Sequence, residues 1–325
     1  MPPPAQESTH RTGTVIRSTG SWYDVDTGIR VVPSKIRGKF RLEAQTKTNP
    51  VVVGDRVTIR LNEDDTGLIT DIAPRTNKLS RRAAGRRVGI EHIIAANIDA
   101  AWVVQAVRLP VVNPGFIDRF LVMAEVYGIA AGVVLNKLDL LRPKDEEAVA
   151  EIVELYEALG YPVLLVSAET KEGVDAFRAA LLGQTSVVSG PSGVGKSTLL
   201  NAVQPDLDLR TGEVSRKTRK GKHTTTYAAL YPLSDASGQT TGYVVDTPGI
   251  REFGIVDLEP SELDGYFVEF RPYLNDCRFP NCTHDHEPDC AVKDAVDRYE
   301  IAGSRYGSYL GIYDSLVLGD ADVGR

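Results

Sequence analysis

The chain is poor in cysteine and contains no long apolar stretch. Its 325 residues include three cysteines, all between Cys277 and Cys290, which excludes a disulfide framework spread over the fold. No stretch approaches the roughly 20 apolar residues of a membrane-spanning helix. The first residues, Met1–Glu7, lack the basic and apolar regions of a signal peptide. We therefore expect a soluble, cytoplasmic protein of two or three domains.

Positive charge is scarce overall and concentrated near the start of the chain. The net charge is −7 at pH 7. Residues 1–90 hold 16 Lys and Arg against 9 Asp and Glu, which is +7, whereas the rest holds 21 against 35, which is −14. The densest basic segment, Arg75–Arg87, suits contact with a phosphate backbone. A solvated basic linker is the commoner explanation of such a cluster.

The first 75 residues have the pattern of a small β domain after a proline-rich tail. Short β-branched or alternating runs are separated by Gly, Asn and Asp, and they predict five or so strands. These runs are Gly13–Ile16, Trp22–Val25, Gly28–Val32, Lys39–Leu42, Arg56–Leu61 and Leu68–Ile72. The leading interpretation is an oligonucleotide-binding barrel, the OB-fold, although strand spacing alone does not separate it from an SH3-like barrel.

From about Asn97 the pattern changes to alternating apolar strands and amphipathic helices, which predicts a doubly wound parallel α/β sheet. The predicted strands are Ala100–Val107, Ala130–Leu135, Val163–Val166, Ser186–Val188 and Gly242–Val245. The predicted helices are Phe116–Tyr127, Asp145–Leu159 and Val174–Leu182. The tail after Pro260 is compatible with helices.

A phosphate-binding loop of the GxxxxGK[ST] type follows the strand at Ser186 and opens a helix. Such a loop directs backbone amides and the helix N-terminus at phosphates, and its lysine reaches the β- and γ-phosphates. The candidate nucleotide-binding residues are Gly190, Ser192, Gly193, Val194, Gly195, Lys196, Ser197 and Thr198. Lys196 is also a candidate catalytic residue, and the Ser197 hydroxyl is a candidate Mg²⁺ ligand.

Two further motifs stand at strand ends and indicate guanine as the base. Asn136, Lys137 and Asp139 belong to an Asn-Lys-Leu-Asp motif, whose carboxylate can accept hydrogen bonds from N1 and the exocyclic amine of guanine but not from adenine. Four residues alone are a weak signal. Ser167 and Ala168 follow the next strand, where a backbone amide would meet the guanine oxygen, and the combination predicts a GTP site.

Asp246-Thr-Pro-Gly249 ends the last predicted strand of the sheet. Asp246 is predicted to hold Mg²⁺ through water, and the Gly249 amide to meet the γ-phosphate. Ile250 stands where Ras-like GTPases carry the glutamine that orients water.

The basic segment 216–226 has the composition of a mobile switch loop. One of Thr224 and Thr225 is expected to meet Mg²⁺. His223 is the candidate to position the attacking water, and a solvated loop histidine is the equally weighted alternative.

All three cysteines fall in the pattern Cys277-x4-Cys282-x-His284-x5-Cys290. Three thiolates and one imidazole form a closed Cys₃His set, which is typical of structural zinc. Such a site contributes on the order of 10 kcal/mol to local folding. His286 is the nearest competing ligand, and spacing alone does not exclude it.

The order of these motifs is permuted, because the guanine motifs precede the phosphate loop. With this order, His223-Thr-Thr-Thr226, Asp246-Thr-Pro-Gly249 and the Cys/His spacing, the chain resembles the ribosome small-subunit-dependent GTPase A family (RsgA, also called YjeQ). The resemblance covers nearly the whole chain. It implies GTP hydrolysis to GDP and phosphate, stimulated by the 30S subunit, during late 30S maturation and coupled to release of an assembly factor. The family's proposed catalytic histidine matches His223.

The resemblance also implies a domain plan and a set of partners. The domains are a disordered tail (1–10), an OB-fold RNA-binding domain (11–75), a basic linker (76–96), a circularly permuted GTPase domain (97–257) and a helical zinc-binding domain (258–325). The expected partners are the 30S subunit and its 16S rRNA, with no membrane and no DNA, and a monomer is expected. GTP or GDP, Mg²⁺ and one structural Zn²⁺ are the expected cofactors.

Two other classes of function are compatible with the motifs. One is a GTP-dependent switch that acts on a protein partner instead of rRNA. The other is an RNA-binding module whose nucleotide site is inactive. Steep salt dependence of binding would separate rRNA from a protein partner, and turnover would separate an active from an inactive site.

Overall fold

A computed structural model of the 325-residue chain describes residues 10–38, 50–82, 91–207, 209, 229–246 and 258–318. The chain divides into two compact units. The first comprises the described residues of Met1–Ala100, Arg178–Val188 and Gly212–Ile250, and the second those of Ala101–Phe177, Ser189–Thr211 and Arg251–Arg325. Within the described ranges, no helix has the length and apolar character that crossing a membrane requires.

A closed five-stranded barrel opens the first unit. Its strands are β1 (His10–Thr19), β2 (Trp22–Asp26), β3 (Val31–Ile36), β4 (Arg56–Leu61) and β5 (Gly67–Ile72). They pair in the order β1-β2-β3-β5-β4, and β1 also pairs with β4, which closes the ring. β3 and β5 are parallel and the other pairs are antiparallel. This is the topology of the predicted OB-fold, and it excludes the SH3-like alternative.

Alternation of burial along the strands builds the barrel core. In β3, Val32, Ser34 and Ile36 are buried, whereas Val31 and Lys35 face outward. Val15, Val25, Ile59 and Ile69 are among the side chains that fill the interior. The predicted strand Lys39–Leu42 lies outside the described residues, and so does the predicted disordered tail 1–10 except for His10, which begins β1.

The basic segment after the barrel contributes to structure. Arg75 donates two hydrogen bonds, of 2.7 and 2.8 Å, to the fully buried carboxylate of Asp55. Two strands follow, β6 (Lys78–Arg82) and β7 (Glu91–Ala96), and they pair antiparallel. The residues treated in sequence as a basic linker, 76–96, therefore contain a strand pair, because Leu79, Ala95 and Ala96 supply buried apolar positions that charge counting overlooks.

The described part of the first unit holds three more strands: β11 (Thr185–Ser189, whose last residue belongs to the second unit), β12 (Ala229–Ser234) and β13 (Thr240–Asp246). β11 and β13 are parallel, and β12 pairs antiparallel with β13. The sequence analysis found β11 and β13 but not β12, because Pro232 interrupts its apolar pattern. β12 also pairs with β1 of the barrel at Ala229 and Arg17.

The second unit contains the remaining strands and helices. The strands are β8 (Ala100–Ala106), β9 (Ala130–Asn136) and β10 (Val163–Leu165), in the order β10-β9-β8. The helices are α1 (Pro114–Val126), α2 (Glu146–Ala158), α3 (Val174–Leu181, which continues into the first unit), α4 (Lys196–Val203), α5 (Ala291–Asp297) and α6 (Gly303–Val317). The bounds of β8, β9, β10 and of α1, α2, α3 agree with the sequence predictions to within two residues.

The C-terminal part of the second unit packs on α1. Phe267, Phe270 and Tyr309 form its centre, and Val122 of α1 belongs to the same apolar cluster. Two 3₁₀ segments, Pro260–Tyr266 and Leu274–Asp276, precede α5. Helix is thus a smaller share of this region than its composition suggested.

A buried ion-pair network joins α1 to the C-terminal region. Arg305 on α6 is 1% exposed and donates to Asp118 of α1 at 2.7 Å and to Glu269 at 2.6 Å. Tyr156 of α2 donates to the same Asp118 oxygen at 2.7 Å. Burial lowers the pKa of Arg305, but the hydrogen bonds with Glu269 and the charge of Asp118 outweigh it and hold that pKa above its ordinary value. The guanidinium therefore stays charged.

Removal of Arg305 is expected to be strongly destabilising. Arg305→Ala leaves two buried carboxylates without their cation, and the free energy of unfolding should fall by about 3–5 kcal/mol. Arg298→Ala is the matched control, because Arg298 also pairs with a glutamate but both side chains are about half exposed, so its cost should stay below about 1 kcal/mol. Urea unfolding measures the free energy of unfolding of both variants. Equal losses in the two would contradict the conclusion that the buried ion pairs of Arg305 stabilise the fold.

Candidate nucleotide site and metal centre

The phosphate loop joins Ser189, the last residue of β11, to α4. Gly195 caps the helix with φ 91°, a left-handed conformation that favours glycine. A Cβ at Gly195 would lie 2.6 Å from Nδ2 of Asn136, and a Cβ at Gly190 would lie 2.1 Å from the Val104 carbonyl oxygen. Glycine at both positions therefore lets the loop approach β8 and the guanine motif closely.

Lys196 closes over its own loop. Its Nζ donates to the carbonyl oxygens of Gly190 at 2.7 Å and Pro191 at 2.8 Å. Nucleotide phosphates would have to replace these two bonds. Ser197 is half-buried on the first turn of α4, Ser192 and Thr198 are exposed, and Val194 is fully buried.

Asn136 connects the three nucleotide motifs of the second unit. It lies at the end of β9 and is 1% exposed. Its Nδ2 donates to the Val194 carbonyl of the phosphate loop at 2.9 Å, and its Oδ1 accepts from the Ala168 amide at 3.2 Å. A single side chain thus brings together motifs that are separated by tens of residues in sequence.

Lys137 braces the same loop from a left-handed backbone position, φ 65°. Its Nζ donates to the Gly193 carbonyl at 2.6 Å and also to the Leu109 carbonyl. The sequence analysis missed Leu109, and no sequence signal could have found it, because the contact uses a backbone oxygen that any residue supplies.

Asp139 and Ser167 form a short hydrogen bond. The Ser167 hydroxyl donates to Asp139 Oδ1 at 2.5 Å and accepts from the Thr170 amide at 3.1 Å. The carboxylate is otherwise exposed, so it is oriented without being buried. The Ser167 amide donates to Glu172, and the Ala168 amide to Asn136. The backbone amide expected to meet the guanine oxygen, whether that of Ser167 or of Ala168, therefore already has a partner in this structure.

The remaining candidate residues of the GTP site fall largely outside the described part of the chain. His223, Thr224, Thr225 and Gly249 lie there entirely. Asp246 is the last residue of β13, and its backbone pairs with Ala229.

Cys277, Cys282, His284 and Cys290 converge in the C-terminal region. Their ligand atoms all lie within 4.8 Å of one another. Sγ of Cys277 is 3.6 Å from Nδ1 of His284 and 3.9 Å from Sγ of Cys290. Nδ1 of His284 is 3.3 Å from Sγ of Cys290. Tetrahedral zinc, with bonds of about 2.3 Å to sulfur and about 2.0 Å to nitrogen, separates its ligand atoms by about 3.5–3.8 Å. The four side chains therefore fit a zinc ion.

In zinc sites the second ring nitrogen of a histidine ligand ordinarily has a hydrogen-bond partner, and Nε2 of His284 has one. Nε2 lies 3.2 Å from a carboxylate oxygen of Asp264, which fixes the ring so that Nδ1 faces the thiols. His286, the competing ligand, is 80% exposed and lies beside Asp285. The structure thus groups His284, and not His286, with the cysteines.

Burial also bears on the metal chemistry of the cysteines. It raises the pKa of the Cys282 thiol to about 12 and that of Cys290 above its ordinary value. Neutral thiols bind zinc poorly, so a cation here must displace protons on binding.

Two family models match the chain. The model described as RsgA GTPase matches residues 72–256, and the one described as RsgA N-terminal domain matches residues 12–69. A small ribosomal subunit biogenesis GTPase RsgA of Bacteroides fragilis is 43% identical over 303 residues, which cover 93% of this chain and 96% of that protein. A protein of the same name from Gemmatimonas aurantiaca is 44% identical, with 95% and 99% covered.

Solved structures have the same architecture. YjeQ from Thermotoga maritima superposes with a TM-score of 0.78 at 36% identity, covering 97% of this chain and 99% of that one. YloQ, described as a circularly permuted GTPase, gives a TM-score of 0.75 at 28% identity, with 97% and 98% covered.

Proposed function

The chain belongs to the RsgA GTPase family, and from that premise we propose that it hydrolyses GTP to GDP and phosphate in the biogenesis of the small ribosomal subunit. The contacts of Asn136 with Val194 and Ala168 carry this proposal most directly, since they assemble a guanine-reading motif against a phosphate loop. The finer proposal is that the 30S subunit stimulates turnover during late maturation, and that hydrolysis is coupled to release of an assembly factor.

Within the nucleotide site we assign separate roles to base and phosphate recognition. Asp139 accepts from N1 and the exocyclic amine of guanine, and Ser167 holds it in place. Lys137 supports the base site, while Lys196 leaves its carbonyl partners to neutralise the β- and γ-phosphates. The loop amides of Gly193 and Gly195 face the phosphates by the ordinary geometry of such loops.

Ser197 and Asp246 are the residues that would hold a magnesium ion, because a hydroxyl and a carboxylate supply the oxygen ligands that it prefers. The ion would neutralise the negative charge that develops on the phosphates. One of Thr224 and Thr225 completes the set on the switch segment. His223 orients the attacking water, since Ile250 cannot.

We propose that Cys277, Cys282, His284 and Cys290 hold one structural zinc ion. Cys282→Ser removes one thiolate, so the zinc content measured by mass spectrometry is expected to fall from about one ion per chain to well under half. The thermal midpoint should fall with it. His286→Ala is the matched control and should keep both values. Loss of zinc from the control alone would contradict the ligand set.

The barrel carries a surface suited to 16S rRNA. Trp22 is 37% exposed, and the Lys35 ammonium lies 4.3 Å above its ring. Arg17 lies on the same outward face, beside Asp24, and its side chain is 60% exposed. An exposed aromatic ring among cations is the arrangement on which unpaired bases stack. We propose this face as an RNA contact of a cytoplasmic monomer that does not bind DNA.

We also propose that function divides along the chain as the sequence suggested. The barrel of 11–75 binds RNA, residues 97–257 bind and hydrolyse GTP, and residues 258–325 form a zinc-stabilised module. Segment 76–96 connects the first two.

Cosedimentation with purified 30S subunits tests the partner. Binding with a non-hydrolysable GTP analogue should fall about 10-fold or more between 50 and 200 mM salt, because contacts with several RNA phosphates release counterions and added salt opposes that release. Trp22→Ala should weaken binding to 30S without changing GTP affinity. Binding that ignores salt, or that occurs only when a separate protein is added, would favour a switch acting on a protein partner.

A further inference from the structure

A row of paired backbone residues runs from the barrel to the end of β13. Arg17 of β1 pairs with Ala229 of β12, and Ala229 pairs with Asp246 of β13. Neighbouring strands lie about 4.8 Å apart. The candidate magnesium residue is therefore only two strands away from the barrel strand that carries Arg17.

β1 pairs with strands of the barrel and also with β12. Residues His10–Thr14 pair with β4 inside the barrel, and the pairing with β2 shifts register between Val15 and Arg17. A bulge of this kind bends a strand and redirects its edge. Beyond the bulge, β1 pairs with β12 instead of β4.

A side-chain contact reinforces this backbone row. The Tyr243 hydroxyl on β13 donates to Oδ2 of Asp26, the last residue of β2, at 2.9 Å. The Thr14 hydroxyl interacts with the same phenol. The other oxygen of Asp26 accepts from the Gly28 amide at 2.8 Å, and Asp26 is 8% exposed. Burial raises the pKa of Tyr243, which keeps the phenol protonated and able to donate.

Both ends of this contact lie close to functional positions. Tyr243 precedes Asp246 by three residues on one continuous strand. Asp26 ends the strand that begins with Trp22, and Asp24 of that strand pairs with Arg17. The outward face of the barrel is therefore connected to the end of β13 by β2, one side-chain hydrogen bond and β13 itself.

We propose that the contact between Tyr243 and Asp26 couples the barrel to GTP hydrolysis: it shifts the end of β13 when the barrel binds RNA and has no role in the basal reaction. This inference rests on the proposed function, in which rRNA binds the barrel. Because coupling between two sites is reciprocal, nucleotide state must also alter the barrel. A contact that served stability alone would do neither.

Tyr243→Phe tests the inference by removing only the hydroxyl. The factor by which 30S subunits stimulate GTP turnover is expected to fall about fivefold or more, while the rate without subunits stays within about twofold of the wild type. Tyr161→Phe is the matched control, because it removes a phenol–carboxylate bond of 3.1 Å to Glu125 in the other unit. It should keep the full stimulation. Equal stimulation in the two variants would overturn the inference.

A second measurement does not depend on ribosomal subunits. The chain has two tryptophans, and Trp102 is 6% exposed, so the difference between wild type and Trp22→Phe isolates the fluorescence of Trp22. That signal should change when GDP is replaced by a non-hydrolysable GTP analogue. The change should be lost in Tyr243→Phe and kept in Tyr161→Phe.

The two measurements separate failure of the inference from failure of the proposed function. If 30S subunits fail to stimulate the wild type, the proposed function is wrong. The fluorescence of Trp22 still decides whether the contact between Tyr243 and Asp26 couples nucleotide state to the barrel. A Trp22 signal that ignores the nucleotide, or that survives in Tyr243→Phe, would overturn the inference whatever the subunits do.

Discussion

Asp139→Asn is expected to weaken GTP binding by about 10²- to 10⁴-fold. Hydrogen bonds between a charged carboxylate and guanine contribute about 1.5–3 kcal/mol each; the variant loses the one to the exocyclic amine, where two donors now meet, and keeps only a weaker, uncharged one to N1. The Ser167 hydroxyl donates to Asp139 Oδ1, and the asparagine oxygen can still accept it. The change therefore alters hydrogen-bonding character without altering the shape of the site.

The same substitution should create a preference for xanthine nucleotides. Xanthine carries a carbonyl where guanine carries its exocyclic amine, and the asparagine amide can donate to that oxygen while its carbonyl accepts from N1. Equilibrium titration with fluorescent GDP and XDP measures both affinities. XDP should bind the variant at least about tenfold more tightly than GDP does.

Asp65→Asn controls for loss of a carboxylate. Asp65 lies in the barrel, its side chain is 80% exposed, and its positive φ suits asparagine. The Asp65→Asn variant should keep the nucleotide preference of the wild type. An Asp139→Asn variant that still preferred guanine would show that another group reads the base.

His223→Ala is expected to abolish hydrolysis and to spare binding. Removing a group that positions the attacking water costs about 10²- to 10⁴-fold in turnover. GTP affinity should stay within about threefold of the wild type, because no binding role is assigned to the imidazole. Single-turnover measurements at saturating GTP separate the two effects.

His286→Ala is the control for this variant, since His286 is exposed and lies outside the proposed zinc set. It should turn over GTP normally. Normal turnover in His223→Ala would remove His223 from the mechanism, and weakened GTP binding would instead assign it to substrate recognition.

The sequence was most informative where function depends on local pattern. The phosphate loop, the guanine motifs and the Cys₃His spacing are each encoded within a few neighbouring residues. The strands β8–β11 and β13 were also predictable, because each is a short apolar run between turn-forming residues. Closure of the barrel was not predictable, since it depends on which strands pair.

Contacts made by backbone atoms or by distant residues were beyond the sequence. Lys137 rests on the carbonyl of Leu109, in a stretch that had no assigned role. Asp264 supports the ring of His284 from 20 residues away. Arg305 meets Asp118 across 187 residues. Nothing near these residues in sequence marks their partners.

Segment 76–96 shows why charge is a poor guide to order. Its arginines and lysines suggested a solvated linker, yet Leu79 is buried, and Arg75, just before the segment, is paired with Asp55. Basic residues can keep their charged ends in water while alternate positions pack inward. Charge density alone therefore predicts a surface and not the absence of structure.

GTP turnover by the purified protein, alone and with added 30S subunits, tests the central claim most directly, with ATP as the control nucleotide. The account predicts a slow basal rate that is selective for GTP and rises by orders of magnitude with 30S subunits. A GTPase rate that 30S subunits leave unchanged would contradict the proposed role in the small subunit, and hydrolysis of ATP at a similar rate would contradict the guanine site.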